Sequence, residues 1–172
     1  MLRPLFAVLL GAGLLCAQGY TSPAASTSVT IDGKTIRIDY HAPSMHGRKI
    51  FGGLVPYGQI WRAGANEATA LHTDADLDIA GLKVPKGDYT LYIYPEATKW
   101  QLVVNKQTKQ WGTVYNEGQD LGRVPVSVYI ASAAIETWKI ALSQAVSQAG
   151  PHQAKLRMEW ENAVVEVPVA VH

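Results

Sequence analysis

From Ser28 onward the chain alternates apolar and polar positions. Val29 and Ile31 lead into Asp32-Gly33, and Ile36, Ile38 and Tyr40 then share one face while Arg37 and Asp39 take the other. A period of two is the signature of a strand with one buried side. Asp-Gly between two such runs predicts a tight hairpin, because glycine accepts the positive φ of a type I′ turn. The same grammar recurs: Leu77 and Ile79 face Leu82 and Val84 across Ala80-Gly81, Pro85-Lys86-Gly87-Asp88 turns into Tyr89-Leu91-Ile93, and Trp100-Leu102-Val104 returns. Val124 to Ile130, Trp138 to Leu142, Leu156 to Trp160 and Val165 to Val169 complete the series, with Glu161-Asn162-Ala163 expected as a turn before the last strand.

Nine or ten short strands with one apolar face each bury those faces against one another. The expected fold is an all-β, antiparallel two-sheet β-sandwich with one long ordered loop, with a closed β-barrel as the alternative. The Ala131–Glu136 stretch is too short for much helix, and Ser143–Gln153 lacks periodicity and reads as a loop.

The N-terminus follows a different pattern. After Arg3 and Pro4 an uncharged apolar run extends from Leu5 to Leu15, too short to span a bilayer, and Ala17-Gln18-Gly19 supplies small residues for cleavage. Residues 1–19 are therefore expected to be a cleaved signal peptide, and residues 20–172 a single domain that is periplasmic or secreted, with no stable membrane insertion. Cleavage removes Cys16, the single cysteine, so neither a disulfide nor a thiol nucleophile is expected in the remaining 153 of 172 residues.

Charge narrows the function classes. The chain has 15 Lys plus Arg and 14 Asp plus Glu, and the leader holds one Arg and no acid, so the mature chain is formally neutral. A nucleic-acid partner needs a basic surface, and none is expected.

One segment breaks the alternation. Between His41 and Thr69 the chain joins two strands with neither a two-residue nor a 3.6-residue period, yet Ile50, Phe51, Leu54, Val55, Ile60 and Trp61 say that it packs down. Long irregular connections in compact domains are commonly functional. Its run Gly47-Arg48-Lys49-Ile50-Phe51-Gly52-Gly53-Leu54-Val55-Pro56-Tyr57-Gly58, followed by Trp61-Arg62-Ala63-Gly64-Ala65-Asn66-Glu67-Ala68-Thr69, resembles the hallmark of the bacterial domain of unknown function family 2911 (DUF2911). The likeness continues through Val84–Leu91, Trp100, Trp111-Gly112 and Trp160-Glu161-Asn162. The resemblance implies exported or envelope-located proteins and supplies no activity residue by residue. Members commonly carry Ser-Arg where His41-Ala42 stand here, and His46 is not a family-wide feature, so a role for these histidines is peculiar to this chain.

Within the segment, Arg48, Arg62, Asn66 and Glu67, with Trp61 beside them, are the candidate ligand-binding residues. Two guanidinium forks near glycine-rich backbone suit a carboxylate or phosphate. The same groups equally serve to tie the loop to the sheet, with Glu67 pairing an Arg and Asn66 satisfying backbone groups. His41, His46 and His72, near Glu67 or Asp74, are weak metal candidates, since their spacing is no known ligand code. Asp74, Asp76 and Asp78 alternate along one face and read as a solvated strand face. Tyr92 and Tyr94, out of phase with Leu91 and Ile93, suggest an exposed aromatic strip for a sugar or peptide.

No Gly-x-Ser-x-Gly elbow and no cofactor motif is legible, so no cofactor is expected. The leading reading is a non-catalytic cell-envelope module for a small ligand, glycan or protein partner. The alternative is a hydrolytic or metal-assisted enzyme using His41, His46 and Glu67.

Overall fold

The computed structural model describes residues 22–145 and 152–172. The expected leader, residues 1–19, and the middle of the expected loop over Ser143–Gln153 lie outside the described residues. The elements are β1 (Ala24–Ile31), β2 (Lys34–His41), β3 (Thr69–Thr73), β4 (Leu77–Ile79), β5 (Leu82–Val84), β6 (Gly87–Pro95), β7 (Trp100–Asn105), a 3₁₀ turn at Glu117–Gln119, β8 (Asp120–Gln144) and β9 (Gln153–Val171). Among the described residues every strand-to-strand ladder is antiparallel, and nine strands form a single open sheet in the order β1-β2-β3-β6-β7-β8-β9-β4-β5.

The β1–β2, β4–β5 and β6–β7 hairpins read from the sequence are present, but the Pro85–Asp88 turn is not a hairpin: it carries the chain from the edge strand β5 to β6, which lies between β3 and β7. Asp32 and Gly33 take φ of 49° and 74° between β1 and β2, and Ala80 and Gly81 take 48° and 94° between β4 and β5. Such a pair of left-handed residues matches the twist of the flanking strands. At the second turn the Gly81 N–H donates to Asp78 Oδ1 at 2.6 Å.

Two expected breaks are not breaks. The chain from Asp120 to Gln144 is one strand whose ladder to β9 skips between Ile130 and Ile135 and again between Ile135 and Lys139. The Ala-rich stretch is thus bulged strand. Glu161-Asn162 likewise bends β9 without turning it, with Glu161 at φ 54°. Bulges increase local twist and redirect a strand. Because β8 pairs with β7 over its first residues and with β9 from Ser127 onward, it carries the sheet round a bend, so the strands form one continuous sheet.

The bend brings β1 and β2 against the C-terminal half of β8 without a closing ladder. Trp138 N–H donates to Pro43 O at 2.9 Å, Ile140 N–H to Tyr40 Oη at 3.1 Å and Leu142 N–H to Thr27 Oγ1 at 3.0 Å. Side-chain hydroxyls and a loop carbonyl here satisfy backbone groups that an edge would leave open. β1 and β5 end the sheet, so the barrel alternative is not realised.

The core lies inside the bend. Ile36 and Ile38 of β2, Leu71 of β3, Leu91 and Ile93 of β6, Leu102 of β7, Trp138 and Ile140 of β8 and Met158, Trp160 and Val167 of β9 are all buried there. Each large side chain removed from water contributes roughly 1.5–3 kcal/mol. Trp61 joins the cluster from the irregular segment, 4.7 Å from Trp138 and stacked at 5.7 Å on Trp160. Among the described residues no helix is long and apolar enough to cross a membrane.

Candidate functional site

The 41–69 segment is held at several points. It leaves β2 by pairing Ser44 with Thr137, and Met45 N–H donates to Glu136 O at 2.8 Å. Farther on, Glu161 of the β9 bend accepts the N–H groups of Ile50 and Phe51, each at 3.2 Å, one on each carboxylate oxygen. Trp61 then exchanges two backbone bonds of 2.8 Å with Ile93, where β3 has run out and β6 has a free edge. Leu54 and Tyr57 stay about half exposed, so the segment packs down through Ile50, Phe51, Val55 and Trp61.

These anchors leave a cavity of about 300 Å³ between the segment and β9, lined by Ser44, Arg48, Trp61, Arg62, Asn66 and Trp160 among others. Arg48 lies along its own loop, donating from Nε to Met45 O at 2.9 Å and from Nη2 to Ser44 O at 2.7 Å. Arg62 differs. Its Nε is buried without a hydrogen-bond partner, and no carboxylate lies within ion-pair distance of its head among the described residues. Burial pushes its pKa down, although a guanidinium keeps its proton throughout the physiological range.

Gly112 sets the position of Arg62. A Cβ there would stand 1.9 Å from Arg62 Cδ and 2.6 Å from Asn66 O, so the Arg62 stem crosses bare backbone. Gly112 N–H also donates to Asn66 O at 3.0 Å. Asn66 itself sits at φ 57°, a conformation that Asn tolerates better than most residues, and its Nδ2 reaches Ser22 O at 3.5 Å.

Glu67 does not join these groups. After the left-handed Asn66 its side chain emerges on the other side of the segment, where Oε2 lies 3.3 Å from His41 Nδ1. That pair borders a larger groove of about 710 Å³ over the outer faces of β2, β3 and β6, closed on one side by Thr108–Gln110. Arg37 pairs with Asp39 at 2.8 Å, and His72 lies between Asp88 at 2.7 Å and Asp74 at 3.2 Å. Asp88 and then Asp74 raise the His72 pKa by favouring the imidazolium.

His46 does not line that groove. It is exposed at φ 48°, with its backbone N–H on Glu136 Oε1 at 2.9 Å. Among the described residues no group of three His, Cys, Asp or Glu side chains is placed to hold a metal ion.

Asp74, Asp76 and Asp78 each serve a different partner: Thr35 N–H, Lys86 N–H, and Gly81 N–H with Lys83 Nζ. The expected aromatic strip is covered. Tyr92 is buried beneath the 105–115 loop, its Oη donating to Val114 O at 3.0 Å and accepting from Gln110 Nε2 at 2.9 Å, while Arg123 lies 5.9 Å above the Tyr94 ring. Sequence reasoning missed Ser44 and Trp160 as cavity walls and Glu161 and Gly112 as supports. The quoted Trp111-Gly112 and Trp160-Glu161-Asn162 motifs were the available signal.

Fold and site together define an all-β protein in which an ordered crossover segment roofs a small arginine-lined cavity. No curated protein and no solved structure matches the chain. It belongs to the DUF2911 family, described as a protein of unknown function, whose sequence profile matches residues 22–169.

Proposed function

We propose that the mature chain is a non-catalytic binding module of the periplasm or cell exterior, and that it takes a small ligand in the cavity beneath the 41–69 segment. The observation that carries this reading is the convergence of Arg62, Asn66, Trp61 and Trp160 on one open space. Ligand sites converge fixed polar groups on an enclosed space, here a mainly polar lining with Trp61 as its aromatic element, and about 300 Å³ is at the small end of their range. The bent sheet acts as the two layers of a sandwich that share β8, and the cavity lies where the crossover segment covers the bend. The leader-like N-terminus supports export.

A hydrolytic reading rests on the His41–Glu67 contact alone. Among the described residues no hydroxyl or thiol hydrogen-bonds the His41 ring, so such a pair would have to act on water, and nothing else converges on it to hold a scissile group.

The test is a thermal-shift panel of sugars, amino acids, alcohols and organic acids on the wild type and on Ala65→Leu, which fills the cavity from its buried wall. The reading requires at least one compound to raise the unfolding temperature of the wild type and to lose that effect in Ala65→Leu. A shift retained by the filled variant, or no shift across the panel, contradicts it. Intact-mass analysis of the periplasmic fraction checks export, with loss of the first 17 or 19 residues expected.

A further inference from the structure

The cavity lining contains two guanidinium groups, Arg48 and Arg62, and no Asp or Glu among the described residues. This imbalance stands out in a mature chain whose formal charges cancel, and in which Arg37, Lys83, Arg123, Lys155 and Arg157 each lie against a carboxylate. The Arg48 head donates to the Met45 and Ser44 carbonyls. At Arg62 the Nε N–H has lost water and gained no acceptor. A cation held in this state is unfavourable until a counter-charge reaches it.

We infer that the cavity ligand is a small organic anion whose carboxylate or phosphate oxygens lie on the open side of the Arg62 head and whose planar apolar body lies against Trp61. This rests on the cavity being the ligand site. Guanidinium presents a fork that matches either oxyanion, and the cavity excludes water around it more than a surface site does. Trp61, half-buried and backed by the buried Trp160, supplies an aromatic wall beside the charge. Asn66 adds an amide whose remaining hydrogen-bonding capacity discriminates among bodies of similar size. A cavity of about 300 Å³ suits a single-ring acid and not a glycan chain or a folded partner. Of the candidate partners read from the sequence, the small ligand is the one this chemistry selects.

Isothermal titration calorimetry on the mature protein tests the inference with benzoate, phenyl phosphate, acetate and neutral benzyl alcohol as probes. One-to-one binding of benzoate or phenyl phosphate is expected, the tighter of the two identifying the oxyanion. Arg62→Gln should weaken that binding about tenfold or more, the loss expected for a charged hydrogen bond. Arg62→Lys should retain part of it, and Arg37→Gln, in the outer groove, should leave it unchanged. Circular dichroism establishes that the variants are folded. Competition of acetate with the tighter probe on the wild type alone gives a variant-free arm, with displacement expected. Benzyl alcohol binding as tightly as benzoate, unchanged by Arg62→Gln, overturns the anion assignment while leaving the cavity reading intact. Absence of heat from every anionic probe at millimolar concentration also overturns it, and the neutral members of the thermal-shift panel then decide the cavity reading separately.

Discussion

The two concavities flanking the 41–69 segment draw on the same stretch of sequence and differ in how their charges are settled. On the outer face, His41 meets Glu67, Arg37 meets Asp39, and His72 meets Asp88 and Asp74. In the smaller cavity beneath the segment, Arg48 is held by carbonyls and Arg62 has no partner among the described residues. In the larger groove the histidines and Arg37 meet carboxylates and the remaining cation, Lys109, stays exposed to water, whereas the half-buried Arg62 of the smaller cavity meets no counter-charge among the described residues. Size therefore misleads here, and the unsettled charge is the better guide to where a ligand contributes binding energy.

The contrast is broken most strongly at Gly112. Gly112→Ala places a methyl group where Arg62 Cδ and the Asn66 carbonyl already stand. A cost of about 2–3 kcal/mol is expected, typical of overpacking without room to relax. Urea unfolding should show it, with the outer groove's ion pairs untouched. Glu161→Gln comes next. It removes the negative charge that receives the Ile50 and Phe51 N–H groups, and a loss of about 1–2 kcal/mol is expected. An unchanged urea midpoint would mean that the segment is anchored elsewhere.

Arg62→Met sharpens the comparison because its sign is unusual. Removing a half-buried cation without a counter-charge should stabilise the protein in anion-free buffer by up to about 1 kcal/mol, whereas deleting a paired arginine destabilises. Destabilisation by Arg62→Met in the same urea experiment would show that the head is satisfied.

The smallest effect belongs to the outer face. Asp88 and Asp74 raise the folded-state pKa of His72 above the ordinary value of about 6.5. The stabilisation from this clamp is complete below the unfolded-state pKa and is lost as pH rises through the folded value. Stability should therefore fall by a small amount as pH rises above about 6.5, since His72 is largely exposed, and His72→Asn should flatten that slope. An identical slope in the variant would assign the pH dependence to another group.

Much of the sheet was legible because its turns are local. Asp32-Gly33 and Ala80-Gly81 declare their hairpins within four residues, and the alternation of Ile36, Ile38 and Tyr40 declares which face is buried. The long strands were not legible. At Ala131–Glu136 and Glu161-Asn162 the period of two is lost, and a bulge and a turn give the same local signal. Only the pairing of β8 with β9 across the bend tells them apart. Tyr92 was read outward correctly in phase, but the loop that covers it comes more than ten residues later.

The site was half legible for the same reason. Arg62, Asn66 and Trp61 stood out as polar and aromatic groups in a packed irregular segment, and the structure brings them to one cavity. Glu67 stood beside them in sequence and faces the other way, because a single left-handed residue at Asn66 precedes it. Gly112 lies far along the chain from Arg62, and no periodicity links a glycine to the stem that crosses it.

The most direct measurement is a crystal structure of residues 20–172 of the wild type grown without phosphate, sulfate or carboxylate and soaked with 4-bromobenzoate, read for the anomalous bromine signal. The account predicts a bromine peak in the cavity beside Trp61, with the carboxylate on the Arg62 head. A peak in the outer groove over β2, β3 and β6, or a cavity still empty at full soak, contradicts the claim that the unpaired arginine marks the ligand site.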